Sequence, residues 1–171
     1  MGNFYRSVFL VFILFASQSL IAQVDPVQFS FKGERDDKGQ AFISIKAKIA
    51  SGAGLFSAIK KSADDVFVSS VVFDTVSHKF LKDSLQETGS LQFVTDSATG
   101  GVPVGFFKDS VEWKQLLNLP VQDSTTIKGM ITWLARQDQA FPGGEAPFSI
   151  KVKAVPVAKR PAVVNTDESL W

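Results

Sequence analysis

The chain has no cysteine and a single histidine, His78, among its 171 residues. The first absence leaves no thiolate for redox or nucleophilic work and no disulfide to hold the fold. The second leaves a Ser-His-Asp triad one possible base, and no Gly-x-Ser-x-Gly elbow accompanies it. A charge excess is missing too. Eighteen basic residues stand against seventeen acidic ones, a formal net charge of +1, so the phosphate-neutralising surface of a nucleic-acid binder is not there. The acidic pairs Asp36-Asp37 and Asp64-Asp65 lack the spacing of a calcium loop and read as turn and capping acids. The glycine-rich stretch from Ser97 to Gly105 lacks the Lys-Ser or Lys-Thr of a phosphate loop and reads as a hairpin connection. No catalytic residue, metal-ligand set or cofactor site is therefore expected.

Long apolar runs are also scarce. The longest, Val8 to Ala16, follows Arg6 and ends at Ser17, Gln18 and Ser19, short of the roughly 18 to 20 residues that a membrane anchor needs. With Leu20, Ile21 and Ala22 behind it, the run reads as a secretory signal over residues 1–22, cut near Ala22 or Gln23. Its removal takes away one basic residue and no acid, leaving seventeen of each sign. An exported chain without cysteine must be held by its core alone.

That core has a strand-like pattern. Ala41, Ile43, Ile45, Ala47 and Ile49 alternate with Ser44, Lys46 and Lys48, the period of a half-buried strand. Phe148, Ile150, Val152 and Ala154 alternate with Ser149, Lys151 and Lys153, and Val27, Phe29 and Phe31 share a face. Residues 66–74, 91–95, 110–118 and 126–135 are rich in β-branched and aromatic residues and are separated by turn signals. Residues 56–65 are the one stretch that suits a short helix or an irregular crossing. The pattern predicts an all-β, immunoglobulin-like antiparallel sandwich over residues 23–155. Residues 156–171, with two prolines and no period, predict a linker tail.

From Asp25 to Val155 the chain resembles the N-terminal periplasmic domain of DsbD-type thiol:disulfide interchange proteins, in the form found in Bacteroidetes. The residues that carry the resemblance are the opening "DPVQFSF", the "GLFSA" of Gly54 to Ala58, and the later "GFFKDSVEWKQLLNL" and "TIKGMITWLA". The family pattern continues with a Gly-x-hydrophobic-x-aromatic strand, a cysteine, four residues, a second cysteine, an apolar residue and proline. Here the strand is Gly129, Ile131 and Trp133, and the end is Phe141 and Pro142. Counting back from Pro142 puts the cysteine positions at Ala135 and Ala140. Counting forward from Gly129 puts the first at Arg136, because the segment is one residue shorter.

The resemblance implies thiol–disulfide exchange, and the missing thiols remove it. What it leaves is a periplasmic, redox-inactive domain that acts as a protein-interaction module or is a truncated remnant. The partners it implies are thioredoxin-like periplasmic proteins or a separately encoded membrane redox domain. In relatives the domain runs through a linker into that membrane part, often by residues like the "SLW" of Ser169 to Trp171, which would tether a longer product of this gene. Trp133, Phe141 and Pro142 read either as an apolar rim for partner contact or as the end of the sandwich core. A secreted immunoglobulin-like binder of a peptide, glycan or envelope component is the alternative function.

Overall fold

The computed structural model describes residues 25–60, 65–95 and 100–155. The expected signal peptide and linker tail lie outside the described residues, as do residues 61–64 of the expected crossing. Eight strands follow one another as β1 (Val27–Arg35), β2 (Ala41–Ile49), β3 (Ala53–Phe56), β4 (Ser70–Phe73), β5 (Leu81–Val94), β6 (Val104–Leu117), β7 (Thr125–Gln137) and β8 (Gly143–Val152). A single helical turn, α1 (Thr75–His78), sits between β4 and β5. The fold is all-β and immunoglobulin-like, an antiparallel and nearly closed sandwich. One layer runs β1-β2-β6-β5 and the other β4-β7-β8. Strand β3 joins them, bonding β6 through Leu55 and Phe56 and β7 through Ala53 to Leu55.

The apolar faces of β2 and β8 are buried as the alternation predicts, and Ser44, on the opposite face of β2, is buried as well. Ala41, Ile43, Ile45, Ala47 and Ile49 of β2 are buried, as are Phe148, Ile150 and Val152 of β8. Burying an Ile, Val or Phe side chain contributes roughly 1.5 to 3 kcal/mol, which is how a cysteine-free domain is held. Trp113 of β6, fully buried, stacks on Phe29 of β1 at 6.0 Å between ring centroids. Phe148 meets Phe31 at 5.7 Å and Phe73 at 5.7 Å. Phe73 and Phe148 flank Gly129 in neighbouring strands. A Cβ on Gly129 would strike the Phe148 ring and the Val72 carbonyl, so this position needs a residue without a side chain.

Elsewhere the elements depart from the sequence expectation. The 66–74 strand shrinks to Ser70–Phe73, a helical turn falls on Thr75–His78, and the described part of 56–65 is irregular after Phe56, as one of the two expectations for it had it. The 91–95 and 110–118 strands are the ends of much longer ones. Asp83 and Asp109 adopt left-handed backbone, at φ 60 and 62, and the β5–β6 register shifts between Lys82 and Gln86 and again between Gly89 and Leu91. These bulges let both strands continue through polar residues that resemble turns. The buried Gln115 side chain serves the first bulge by donating to the carbonyls of Lys82 and Asp83, at 2.8 and 3.2 Å.

One side chain fastens the opposite end. Arg35, the last residue of β1, donates to five carbonyls: Lys153, Gly39, Leu119, Pro120 and Asp123. Those carbonyls belong to the β1–β2 turn, the β6–β7 connection and the end of β8. Because the guanidinium presents five donors in a planar fork, it satisfies three segments that have no strand partner there.

Candidate functional site: the β7–β8 hairpin

The stretch from Trp133 to Gly144 has the composition of a loop, yet it folds as a tight hairpin. Pairing between β7 and β8 keeps one register from Thr125–Val152 to Leu134–Gly143. Beyond it the Ala135 amide donates to the Pro142 carbonyl at 2.8 Å, and Gln137 and Ala140 exchange bonds of 3.0 and 2.9 Å. Pro142 has no N–H, so its pair with Ala135 carries one bond instead of two. That missing bond is why the regular strand stops before the ladder does. The turn itself is Asp138-Gln139, with Asp138 at φ 53, a strained conformation that Asp tolerates better than most residues.

Each residue singled out in the sequence has a definite place here. Ala135 is fully buried and Ala140 exposed. Arg136 lies opposite Gly54 of β3 and donates through Nε to the Asp138 carbonyl at 3.4 Å. Trp133 is 6% exposed. Its indole covers Gly144, where a Cβ would lie 3.1 Å from three of the ring atoms, so Gly144 seats the tryptophan. Phe141 is half-buried, with its ring 6.2 Å from that of Phe56 and 5.1 Å from that of Phe67. Pro142 is half-buried beside it. The structure thus brings Phe141 to an aromatic cluster with Phe56 and Phe67, and leaves Trp133 little surface to offer.

Several polar residues that support this end carry no sequence signal. The buried Ser69 hydroxyl donates to the Phe56 carbonyl at 2.8 Å and accepts from the Leu134 amide at 3.3 Å, tying β3 to β7. Glu87 of β5 accepts from the Trp113 indole at 2.8 Å, the Ser57 hydroxyl at 2.6 Å and the Ala58 amide at 2.6 Å. This carboxylate is therefore a structural acceptor, and its partners are set by tertiary register rather than by any local motif. Next to the cluster, Ser57, Ile59, Phe67, Val68, Phe93 and Pro103 line a shallow depression. Val66 and Phe93 are among the most exposed large apolar residues of the described chain, at 78% and 57%.

No group of three metal-ligating side chains occurs among the described residues. His78 sits exposed in α1 with its amide bonded to the Asp74 carbonyl. Asp74 caps α1: its carboxylate accepts from the Ser77 amide at 2.6 Å. The Ser77 side-chain hydrogen bond, then that amide, hold the carboxyl below its ordinary value of 3.8. These groups stabilise the α1 turn.

No family model matches the chain, and no curated protein matches it. Among solved structures it is similar to the N-terminal periplasmic domain of ScsB from Proteus mirabilis, at 10% identity and a TM-score of 0.51. The match covers 78% of this chain and 48% of that one, so the chain spans about half the length of that structure. At this identity the likeness is one of fold. No helix among the described residues is long and apolar enough to cross a membrane.

Proposed function

We propose that the chain is an exported, periplasmic module of the DsbD N-terminal type that has kept the scaffold and lost the thiol chemistry. It works by binding a protein at the end of the sandwich marked by the β7–β8 hairpin. The observation that carries this reading is the Phe56, Phe67 and Phe141 cluster at the base of that hairpin. It lies beside the positions where the resemblance puts the cysteine pair. Phe67 and Phe141 are half-buried over the fully buried Phe56, and partly exposed aromatic rings next to exposed apolar residues are what an interface core is built from. Phe141, unlike the nearly buried Trp133, keeps part of its side chain accessible.

Thioredoxin-fold periplasmic proteins and a separately encoded membrane redox domain are the partners for which such a surface is suited. Titration calorimetry with purified thioredoxin-fold proteins of the host periplasm tests the proposal. A saturable complex is expected, weakened about tenfold or more by Phe141→Ala, the loss typical of an aromatic anchor. Lys151→Ala, on the exposed face of β8, should leave binding unchanged. Failure of every such protein to bind, or equal binding by Phe141→Ala, refutes the proposed surface. Insulin reduction by the pure protein should be blank, and activity there would overturn the redox-inactive reading.

A further inference from the structure

In mid-course β6 carries three residues where its neighbour β5 has one. Gly89 is paired with Val111 and Leu91 with Phe107, so Lys108, Asp109 and Ser110 stand opposite Ser90 alone. On the other edge of β6, β3 reaches only to Phe107 and β2 begins only at Ser110. Lys108 and Asp109 therefore have no ladder partner among the described strands, and Asp109 takes left-handed backbone there, at φ 62. Gly89 keeps the bulge tight, since a Cβ on it would lie 2.9 Å from the Phe107 ring and 3.1 Å from the Ser110 carbonyl.

The bulge opens a cleft of about 320 Å³ on the outer face of the β1-β2-β6-β5 layer. Lys46, Glu112 and Thr88 are paired in one row across β2, β6 and β5, and all three line it together with Ser90, Lys108, Asp109 and Ser110. The Ser44 hydroxyl donates to Glu112 Oε1, so the carboxylate is held from β2. Its Oε2 stands 3.7 Å from the Lys46 ammonium, beyond the length of a hydrogen bond. Both groups can therefore engage a third. The hydroxyls of Thr88, Ser90 and Ser110 and the carboxylate of Asp109 have no hydrogen-bond or charge partner among the described residues.

Two lysines and two carboxylates balance, so the cleft offers neither a cation nor an anion a net field. What it offers is donors and acceptors in alternation around three hydroxyls, and the group that matches both is another hydroxyl, which donates and accepts at once. We propose that the β5–β6 bulge cleft binds a neutral polyhydroxylated ligand, a sugar. A hydroxyl between Lys46 and Glu112 accepts from the ammonium and donates to Oε2, while neighbouring hydroxyls bond Thr88, Ser90 and Ser110. The cleft is at the small end of ligand pockets, which suits a single sugar ring. None of Phe56, Phe67 and Phe141 lines it, so this site stands or falls apart from the docking surface.

The test is a titration of the purified protein followed by amide NMR shifts, with glucose, N-acetylglucosamine and open-chain sorbitol as probes and inorganic phosphate and calcium as charged controls. At least one of the three polyols should shift the amides of residues 46, 88–90 and 108–112 saturably, with a Kd of roughly a few millimolar for a ligand of this size. The tightest of them identifies the form of the ligand. Glu112→Gln should weaken binding about tenfold, the loss of one hydrogen bond to a charged group. Thr88→Val, which keeps the shape and removes the hydroxyl, should weaken it about three- to tenfold. Lys128→Gln, on the other layer, should leave it unchanged. Wild-type affinity in Thr88→Val and Glu112→Gln, both folded by their spectra, would overturn the proposal. So would stronger shifts of the same amides by phosphate or calcium, or no saturable shift with any of the three polyols at tens of millimolar.

Discussion

Replacing Arg35 by methionine keeps the apolar stem and removes all five donors. The size of the loss follows from where the acceptors lie. The bonds to Lys153, Pro120 and Asp123, at 3.0, 2.8 and 2.8 Å, are exposed, and water can replace the donor at each. The bonds to Gly39 and Leu119, at 2.9 and 3.2 Å, are partly buried, and Leu119 itself is 8% exposed. A hydrogen bond to a charged group contributes about 1.5 to 3 kcal/mol, and an orphaned buried carbonyl costs a similar amount. Counting the two covered bonds at the low end and the three exposed ones at a few tenths each gives about 3 to 4 kcal/mol. For a domain of this size that is a fall in Tm of roughly 10 to 15 °C. Urea titration followed by tryptophan fluorescence should show a lower midpoint with the slope unchanged. Arg35→Lys should recover less than half of the loss, because an ammonium is a compact charge that cannot span a fork of separated carbonyls. A loss below about 1 kcal/mol for the methionine variant, or full recovery by lysine, refutes the assignment of Arg35 as the clamp of that end.

Two further outcomes are expected. Since Asp74 is held below its ordinary value of 3.8 by Ser77, its folded pKa lies under its unfolded one, so its contribution is fully present above about pH 4 and is lost as pH falls through the folded value. The stability difference between wild type and Asp74→Asn should accordingly be flat from neutral pH to about pH 5 and shrink below about pH 4, and a difference that grows on acidification contradicts the cap. In the double variant Ala135→Cys with Ala140→Cys, both thiols should stay titratable after air oxidation, because the two positions are diagonal across the hairpin. Such neighbours have Cα atoms about 7 to 8 Å apart, beyond the usual 4.4 to 6.8 Å of a disulfide; rapid closure would show that the hairpin opens readily.

Period-two alternation made β2 and β8 legible because each has one face on the core and one in water. Strand β5 gave no such signal. Most of its residues are exposed, so nothing in their order marks a buried face, and only its Leu91 to Val94 end is apolar enough to stand out. The bulges at Asp83 and Asp109 hid the length of β5 and β6 for a related reason, since a left-handed acidic residue inside a strand has the composition of a turn. Arg35 and Glu87 were invisible in principle. The partners of Arg35 are mostly main-chain carbonyls 84 to 118 residues away, and those of Glu87 lie 26 to 30 residues off in either direction.

The hairpin shows how composition can mislead while the geometry stays simple. Pro142, Gly143 and Gly144 signal a break, but each has a local reason that leaves the pairing intact. The proline gives up one ladder bond, Gly144 makes room for the Trp133 indole, and a Cβ on Gly143 would press on the Trp133 carbonyl at 3.0 Å. Continuous pairing then confines the turn to two residues, Asp138 and Gln139. A cysteine pair separated by four residues would need one partner on the fully buried strand position of Ala135 and the other on the exposed position of Ala140. A two-residue turn with unbroken register holds those positions apart. The segment closes as an ordinary hairpin, and its apolar end, Phe141, packs on Phe56 and Phe67.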